Sequence, residues 1–224
     1  MRSAVSGSET VKRSRRGPPT PGRARRQYGR AATSYDRRLA TRIVAPVQRR
    51  AIERLELRPG QTVLDVACGT GLNFAGIEAA IGAEGRLIGV DLTADMLAVA
   101  RRRIESHGWS NVELIESPVE AAAIPVPVDA ALLSFTHDVL RSPAAVARVT
   151  EALAPGGRVV ACGSKWAPWW AVPVNAVLAF TSLPYTTTFE GFRQPWSLLE
   201  RSLFDREVES LALGSMYVFS GARQ

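Results

Sequence analysis

The chain has 224 residues, of which 46% are hydrophobic and 22% charged, a composition typical of an ordinary globular protein with a sizeable core. Two cysteines, Cys68 and Cys162, and two histidines are too few for a disulfide framework or a zinc site, so we expect no metal centre and a reducing, cytoplasmic location. The net charge of +7 arises within residues 1–27, which carry eight basic residues and one acidic residue. Because the rest of the chain balances to zero, we expect no nucleic-acid partner for the folded body.

The first 27 residues are rich in arginine, serine, glycine and proline and lack apolar periodicity, which predicts a disordered basic tail. No apolar stretch follows the charges, which argues against a secretory signal. Such a tail is either simply solvated or contacts an anionic membrane or a nucleic acid. Residues 28–224 are then expected to form one domain, which begins with apolar residues at helical spacing up to about residue 55.

The most informative stretch is residues 62–73, an apolar, β-branched run followed by Gly69 and Gly71 and then by an amphipathic run. It predicts a buried parallel strand, a tight turn and a helix, which together let the backbone approach a ligand at the helix N-terminus. A second predicted strand, residues 86–91, ends on Asp91, which lies 20 residues after Gly71. At that distance a nucleoside-binding βαβ unit places the acid that accepts hydrogen bonds from ribose hydroxyls.

Two residues near this turn discriminate between nucleoside cofactors. A dinucleotide fingerprint that starts at Gly69 requires a small residue at position 74, and the ring of Phe74 would crowd the helix against the strand. Asp65 lies inside the first strand, where its negative charge is unfavourable beside a pyrophosphate but suits a ligand with an ammonium and a sulfonium group. The turn therefore favours S-adenosylmethionine over NAD.

Farther along the chain, predicted strands and helices alternate, as a doubly wound α/β sheet requires. Thr93 is suited to cap the next helix, and Ser142-Pro143 begins a later one. The predicted elements are a helix at 94–106, strands at 112–116 and 128–135, a helix at 143–153, a strand at 158–162, a helix at 197–203 and a closing hairpin at 207–213 and 216–220.

Two motifs are similar to those of a known family. Val-Leu-Asp-Val-Ala-Cys-Gly-Thr-Gly at 63–71 and Gly-Val-Asp-Leu-Thr-Ala-Asp-Met-Leu at 89–97 resemble the first and second motifs of class I S-adenosylmethionine-dependent methyltransferases, in particular the small-molecule (methyltransferase type 11-like) members. The resemblance implies a Rossmann-like α/β fold with a seven-stranded, mostly parallel sheet, an antiparallel last strand and helices on both faces. It also implies S-adenosylmethionine as the cofactor.

One departure from the family pattern is Ala67, where the family usually has a further glycine. We expect this alanine to adopt an ordinary backbone conformation and to tighten the cofactor loop slightly. A second departure follows the third strand, where the usual Gly-Asp is missing. Glu120 or the backbone of residues 117–119 would then have to contact the adenine.

The resemblance also implies which residues bind the cofactor. Tyr35, in the N-terminal helix, would cover the cofactor as a lid, with core packing as the alternative role. Met96 would touch the adenine edge or simply pack in the core. The complete candidate set is Tyr35, Asp65, Ala67, Cys68, Gly69, Gly71, Asp91, Leu92, Met96, Ser117, Val119, Glu120 and Ser134.

His137 is the candidate catalytic residue. It follows the fourth strand, and the ligand crevice of an open parallel sheet lies at the carboxyl ends of its strands, where the strand order reverses. A neutral imidazole can take a proton from the methyl acceptor, and such general-base help is typically worth about 10²–10⁴-fold. The alternative is a histidine that lines the pocket passively.

Residues 164–196 combine many aromatic residues with prolines and read as an insertion before the last two strands. The apolar run inside this insertion is too short and too rich in proline to span a membrane. We expect the insertion to cover the cleft and to line a largely apolar acceptor pocket. A dimer surface and a peripheral membrane contact are the alternatives.

These features predict methyl transfer to a small, largely apolar or aromatic metabolite, on oxygen, nitrogen or carbon. The alternatives are a quinone or lipid methyltransferase at the membrane surface and a protein that binds S-adenosylmethionine without transferring its methyl group. Methylation of nucleic acid is disfavoured because the fourth strand ends in Ser-Phe-Thr-His at 134–137 and not in the Asn/Asp-Pro-Pro-Tyr/Phe of adenine-amino methyltransferases.

Overall fold

The computed structural model describes residues 44–125, 127–182 and 189–224. Tyr35, the basic tail and the first part of the expected N-terminal helix lie outside the described residues. Within those ranges the helices are α1 (Val44–Arg54), α2 (Phe74–Ile81), α3 (Ala94–His107), α4 (His137–Leu140), α5 (Pro143–Ala152) and α6 (Val172–Ser182). The strands are β1 (Thr62–Val66), β2 (Arg86–Asp91), β3 (Val112–Glu116), β4 (Val128–Ser134), β5 (Leu153–Ser164), β6 (Phe204–Leu211) and β7 (Met216–Ala222).

The seven strands form one sheet in the order β3-β2-β1-β4-β5-β7-β6. The pairs β1–β2, β2–β3, β1–β4 and β4–β5 are parallel, whereas β7 runs antiparallel to both β5 and β6. This confirms the expected doubly wound sheet with an antiparallel last strand. The strand order reverses between β1 and β4, which places a crevice at the carboxyl ends of these two strands.

Alternate residues of the central strands serve opposite faces of the sheet. In β4, Leu132 lies in the core formed with α1, α2 and α3, whereas Leu133 lies in the core formed with α5. In β5, Val160 and Ala161 divide in the same way. Because both faces are covered by helices, these strands read as nearly continuous apolar runs in the sequence.

The boundaries of the last elements differ from the expectation because long-range pairing decides them. β5 begins at Leu153, which already pairs with Val128, so the turn at 155–157 lies inside the strand and not before it. The expected helix at 197–203 is only a short 3-10 helix at Leu199–Ser202. β6 begins three residues earlier than expected, at Phe204, which pairs with Ala222 of β7.

None of the helices in the described part of the chain is long and apolar enough to cross a membrane.

The turn between β1 and α2 has a left-handed conformation at three positions. The φ angle is 52° at Ala67, 57° at Gly69 and 74° at Gly71. The expectation of an ordinary backbone conformation for Ala67 was therefore wrong, and this alanine bears a steric cost of roughly 1–2 kcal/mol. The physical reason lies in the next residue, since the backbone N–H of Cys68 donates to the carbonyl of Val90 at 3.0 Å and holds the loop against the end of β2.

Phe74 fits under this turn because two glycines leave room for its ring. The side chain is fully buried. A Cβ atom on Gly71 would lie 2.6 Å from its Cδ2 atom, and a Cβ atom on Gly89 would lie 3.0 Å from its Cζ atom. The ring therefore occupies space against β2 that a side chain at position 89 would otherwise fill.

We expect Ala67→Gly to raise the free energy of unfolding by about 0.5–1 kcal/mol. Glycine adopts a positive φ without steric cost, and this gain exceeds the loss that comes from the greater conformational freedom of glycine in the unfolded chain. Urea unfolding of the full chain measures the change. The control is Ala147→Gly at an exposed position inside α5, which should lose about 1 kcal/mol. Equal destabilisation by both substitutions would contradict the strain assigned to Ala67.

Candidate active site

The carboxylate of Asp91 joins the glycine turn to the end of β2. Its Oδ2 atom accepts a hydrogen bond from the backbone N–H of Gly69 at 2.9 Å, and its Oδ1 atom accepts one from the backbone N–H of Thr93 at 2.8 Å. Thr93 directly precedes α3, so one side chain fixes both turns that border the crevice. A carboxylate has about four acceptor positions, and Asp91 therefore keeps capacity for further donors such as ribose hydroxyls.

Asp65 enters the same region from β1. The side-chain amide of Asn73, which precedes α2, donates to its two carboxylate oxygens at 3.3 and 3.5 Å. Asp65 is 1% exposed and Asn73 is 5% exposed. The amide oxygen of Asn73 has no hydrogen-bond partner among the described residues. Asn73 was not a predicted site residue, although a polar side chain directly before an apolar helix is a signal that can reveal such a role.

Burial dominates the electrostatics of both carboxylates. Burial raises the pKa of Asp65 to about 7, the hydrogen bond from Asn73 opposes this rise, and the nearby charge of Asp91 adds to it. Burial also raises the pKa of Asp91, against the hydrogen bonds from the backbones of Thr93 and Gly69. Two acidic groups that share a buried region favour a cationic ligand, because its charge offsets their desolvation and their mutual repulsion.

The candidate adenine-binding residues occupy different depths at the end of β3. The backbone N–H of Ser117 donates to the carbonyl of Asp91 at 3.0 Å, and its hydroxyl donates to the carbonyl of Pro118 at 2.9 Å. The side chain of Val119 is buried in the core, whereas Glu120 is exposed on the short 3-10 helix at Val119–Ala121. The structure thus brings Ser117 beside Asp91 and places Glu120 on the surface.

Leu92 and Met96 lead from β2 into α3. Leu92 is half-buried, and Met96 is 3% exposed, which is compatible both with contact to the adenine edge and with packing in the core.

The two cysteines, Cys68 in the glycine turn and Cys162 in β5, are buried free thiols of one hydrophobic core. Cys162 of β5 has its Sγ atom 3.5 Å from the hydroxyl of Ser134 at the end of β4. Burial raises the pKa of Cys162 to about 12, and burial together with the charges of Asp65 and Asp91 raises that of Cys68 above its usual range. Both side chains therefore remain neutral thiols at physiological pH and lack the thiolate that a nucleophile needs.

The chain turns sharply where β4 ends. Phe135 has a φ of 58°, which bulky residues rarely adopt, and its backbone N–H donates to the carbonyl of Cys162 at 2.8 Å. The hydroxyl of the next residue, Thr136, is buried and has no hydrogen-bond partner in the described ranges. Strained backbone and unsatisfied buried polar atoms of this kind are concentrated at ligand sites.

His137 begins α4 and packs against the insertion. Its ring meets the ring of Phe192 edge-on, with the centroids 5.0 Å apart. Trp166 and Phe189 pack on Phe192 at 5.3 and 5.2 Å. We call His137, Trp166, Phe189 and Phe192 the aromatic cluster. It lies beyond the carboxyl ends of β4 and β5.

Two polar contacts hold the insertion at this place. The backbone N–H of Trp166 donates to the carbonyl of Phe192 at 3.0 Å, which joins the beginning of the insertion to its end. The side chain of Arg141, just after α4, forms an ion pair with Glu190 at 2.8 Å. The short helix that carries His137 is therefore joined to the insertion by this ion pair and by the contact of His137 with Phe192.

The structure divides the remaining tryptophans of the insertion between the core and the solvent. Trp196 packs at a tilt against Tyr217 and stacks on Phe219 of β7, with ring centroids 4.7 and 6.3 Å apart, and belongs to the hydrophobic core. Trp169 is 86% exposed and Trp170 is 62% exposed. The sequence could not separate these residues, because composition alone does not show which ring faces the crevice.

The crevice fits a nucleoside that carries a cationic amino-acid group. A Cβ atom on Gly69 would meet nothing within 4 Å, so the turn presents bare backbone to open space. Asp91 lies where ribose hydroxyls would be bound. Asp65 and the amide oxygen of Asn73, which has no hydrogen-bond partner among the described residues, would be able to accept hydrogen bonds from an ammonium group.

Comparison with known proteins agrees with this fit. A family model described as a methyltransferase domain matches residues 63–157. The chain is 30% identical over 178 residues to the 2-phytyl-1,4-naphtoquinone methyltransferase of Thermosynechococcus vestitus. This alignment covers 76% of this chain and 69% of that protein. It is 28% identical over 135 residues to the aklanonic acid methyltransferase DauC of Streptomyces sp. (strain C5). This alignment covers 59% of this chain and 60% of DauC.

The fold also matches solved structures. A SAM dependent methyltransferase from Aquifex aeolicus superimposes with a TM-score of 0.60 at 18% identity, covering 85% of this chain and 98% of that chain. The chain spans 33% and 60% of the length of two of the curated relatives that it matches. The sheet order, the two motifs and these similarities show that the chain belongs to the class I S-adenosylmethionine-dependent methyltransferases, with S-adenosylmethionine as its cofactor.

Proposed function

We propose that this methyltransferase acts on a small, largely apolar or aromatic metabolite and methylates it at oxygen, nitrogen or carbon. The observation that supports this acceptor class is the aromatic cluster, which borders the crevice at the ends of β4 and β5. Aromatic side chains bind a flat apolar molecule by burying its faces and by ring–ring contacts.

In this proposal the cofactor lies along the carboxyl ends of β2, β1 and β4. Asp91 accepts hydrogen bonds from the ribose hydroxyls while it keeps its bonds to the two turns. Asp65 and Asn73 accept the ammonium group. The backbone of Ser117, which is bonded to the end of β2, lies on the adenine side.

Bound S-adenosylmethionine supplies a methyl group that its sulfonium already activates for displacement. The protein has to hold the acceptor in line with that methyl group and to exclude water, and such positioning can supply several kcal/mol. The aromatic cluster provides the dry wall of the site. His137 accepts the proton of an acceptor hydroxyl or amine that is still protonated when it binds.

A membrane-resident quinol, the reduced and nucleophilic form of a quinone, is the second candidate acceptor. The similarity to a naphthoquinone methyltransferase supports it, as do the exposed tryptophans Trp169 and Trp170 on the same insertion that contributes Phe192. A quinone ring is flat and largely apolar, so it suits the aromatic cluster equally well.

Asp91→Ala should weaken binding of S-adenosylhomocysteine by about 10- to 100-fold, because charge-assisted hydrogen bonds are lost and the N–H groups of Gly69 and Thr93 lose their acceptor. Calorimetric titration of the full chain measures the affinity. Asp95→Ala, an exposed carboxylate in the first turn of α3, is the matched control and should bind as the wild type does. Unchanged affinity in Asp91→Ala would exclude Asp91 from the cofactor site.

The affinity for S-adenosylhomocysteine should rise by about tenfold between pH 5.5 and 7.5, because Asp65 must ionise to attract the ammonium group and its pKa is about 7. Asp65→Asn should bind weakly and show little change over this range. Calorimetry at several pH values checks this, and an equally steep rise in Asp65→Asn would assign the titration to another group.

Ionisation of Asp65, which strengthens cofactor binding, lowers the stability of the free protein. The folded-state pKa of Asp65 lies above its ordinary value, so its contribution to stability is fully present at low pH and is lost as the pH rises from about 4 to about 7. In urea unfolding of the free protein, the wild type should therefore lose more stability over this interval than Asp65→Asn does. This also shows whether the variant is folded in the binding experiment.

Formation of S-adenosylhomocysteine in the presence of naphthoquinols, phenols and aromatic amines tests the acceptor class. With the best acceptor, His137→Gln should lower kcat by about 100-fold or more and remove the decline of kcat on the acidic side, because the general base is gone. Its affinity for S-adenosylhomocysteine should not change. Turnover of none of these acceptors would contradict the proposed class, and an unaltered kcat would make His137 a passive wall residue.

A further inference from the structure

A patch of exposed apolar side chains lies on the insertion and the neighbouring hairpin turn. Trp169, Trp170 and Val172 are 86%, 62% and 65% exposed, and Leu213 in the turn between β6 and β7 is 71% exposed. We call these four residues the tryptophan patch. Burial of two adjacent indole rings in water-free surroundings is favourable, so their exposure indicates a surface that is covered in the working protein.

The patch is held together by the fold. The side-chain amide of Asn175 in α6 accepts a hydrogen bond from the backbone N–H of Ala167 at 2.9 Å and donates one to the carbonyl of Ala167 at 3.2 Å. The backbone N–H of Ala171 donates to the carbonyl of Pro168 at 2.9 Å, which closes the turn that carries the two tryptophans. The hairpin lies against this turn, because a Cβ atom on Gly214 would come within 2.8 Å of Pro168.

The distribution of charge along the sequence indicates what covers the patch. Residues 164–182 contain one charged residue, Lys165, and residues 211–216 contain none, so no carboxylate lies in either segment. The chain also carries eight basic residues within positions 1–27. Tryptophans flanking an uncharged helix, together with basic residues elsewhere in the chain, match the interfacial layer of an anionic bilayer, where indole rings concentrate and lipid headgroups attract cations.

We propose that the tryptophan patch inserts into the interfacial layer of a membrane that contains anionic lipid. The turn that carries Trp169 and Trp170 begins at Pro168, two residues after Trp166 of the aromatic cluster, so this docking places the acceptor site at the bilayer surface. An apolar acceptor then enters the site from the lipid phase without crossing water. Only this last consequence rests on the proposed function; the docking itself does not require methyl transfer.

Vesicle sedimentation of the full chain tests the docking. The probes are vesicles of phosphatidylcholine alone and of phosphatidylcholine with phosphatidylglycerol. Wild-type protein should partition onto the anionic vesicles, and the double variant Trp169→Gln, Trp170→Gln should lose about 10-fold or more of this partitioning, because two rings no longer transfer from water. The matched control, Phe204→Gln with Val208→Gln, removes exposed apolar side chains on β6 outside the patch and should partition as the wild type does.

Three results would overturn the proposal. One is no partitioning of the wild type onto anionic vesicles. Another is equal partitioning of the tryptophan variant, which would assign binding to the basic residues alone. The third is a smaller particle mass of the tryptophan variant in sedimentation equilibrium, which would make the patch a contact between protein chains. The variant's affinity for S-adenosylhomocysteine should be that of the wild type, so failed docking and a failed cofactor site are read out separately.

Discussion

The carboxylate of Asp91 is the interaction on which the crevice depends. One oxygen holds the backbone N–H of Gly69 in the glycine turn, and the other holds the backbone N–H of Thr93 at the start of α3. Both turns that border the crevice are thereby fixed to the end of β2, and the end of β3 is added by the bond from Ser117 to the carbonyl of Asp91. A site whose outline is already held by internal bonds loses little conformational freedom when its ligand binds.

This arrangement keeps unfavourable features that folding alone would not select. Asp65 and Asp91 share a buried region, which raises the pKa of both, and Ala67 and Phe135 adopt left-handed backbone conformations at the ends of adjacent strands. A cationic ligand offsets the desolvation and the mutual repulsion of the two carboxylates. The left-handed conformations persist because the hydrogen bonds to the neighbouring strands outweigh the local steric preference, as is common where backbone lines a ligand site.

The insertion between β5 and β6 serves the two sides of the molecule differently. Its ends meet at His137, where Trp166 and Phe192 share a backbone hydrogen bond and a ring contact, and the pair Arg141–Glu190 holds them against α4. The turn near its beginning projects Trp169 and Trp170 into solvent. A single segment thus joins the wall of the proposed acceptor site to the proposed membrane contact, and this links substrate choice to the place where the enzyme works.

The sequence alone determined the succession of strands and helices, the glycine turn and the positions of Asp65 and Asp91, because apolar runs and the spacing of glycines are local properties that the fold preserves. The seven-stranded sheet with its antiparallel last strand followed from the resemblance of the two motifs to a known family. Only the tertiary structure decided the conformation of Ala67, the contact of Asn73 with Asp65 and the separation of the tryptophans into site, core and surface groups. These features depend on hydrogen bonds and packing between residues far apart in the chain, such as Cys68 with Val90 and Trp166 with Phe192, and no local pattern encodes them.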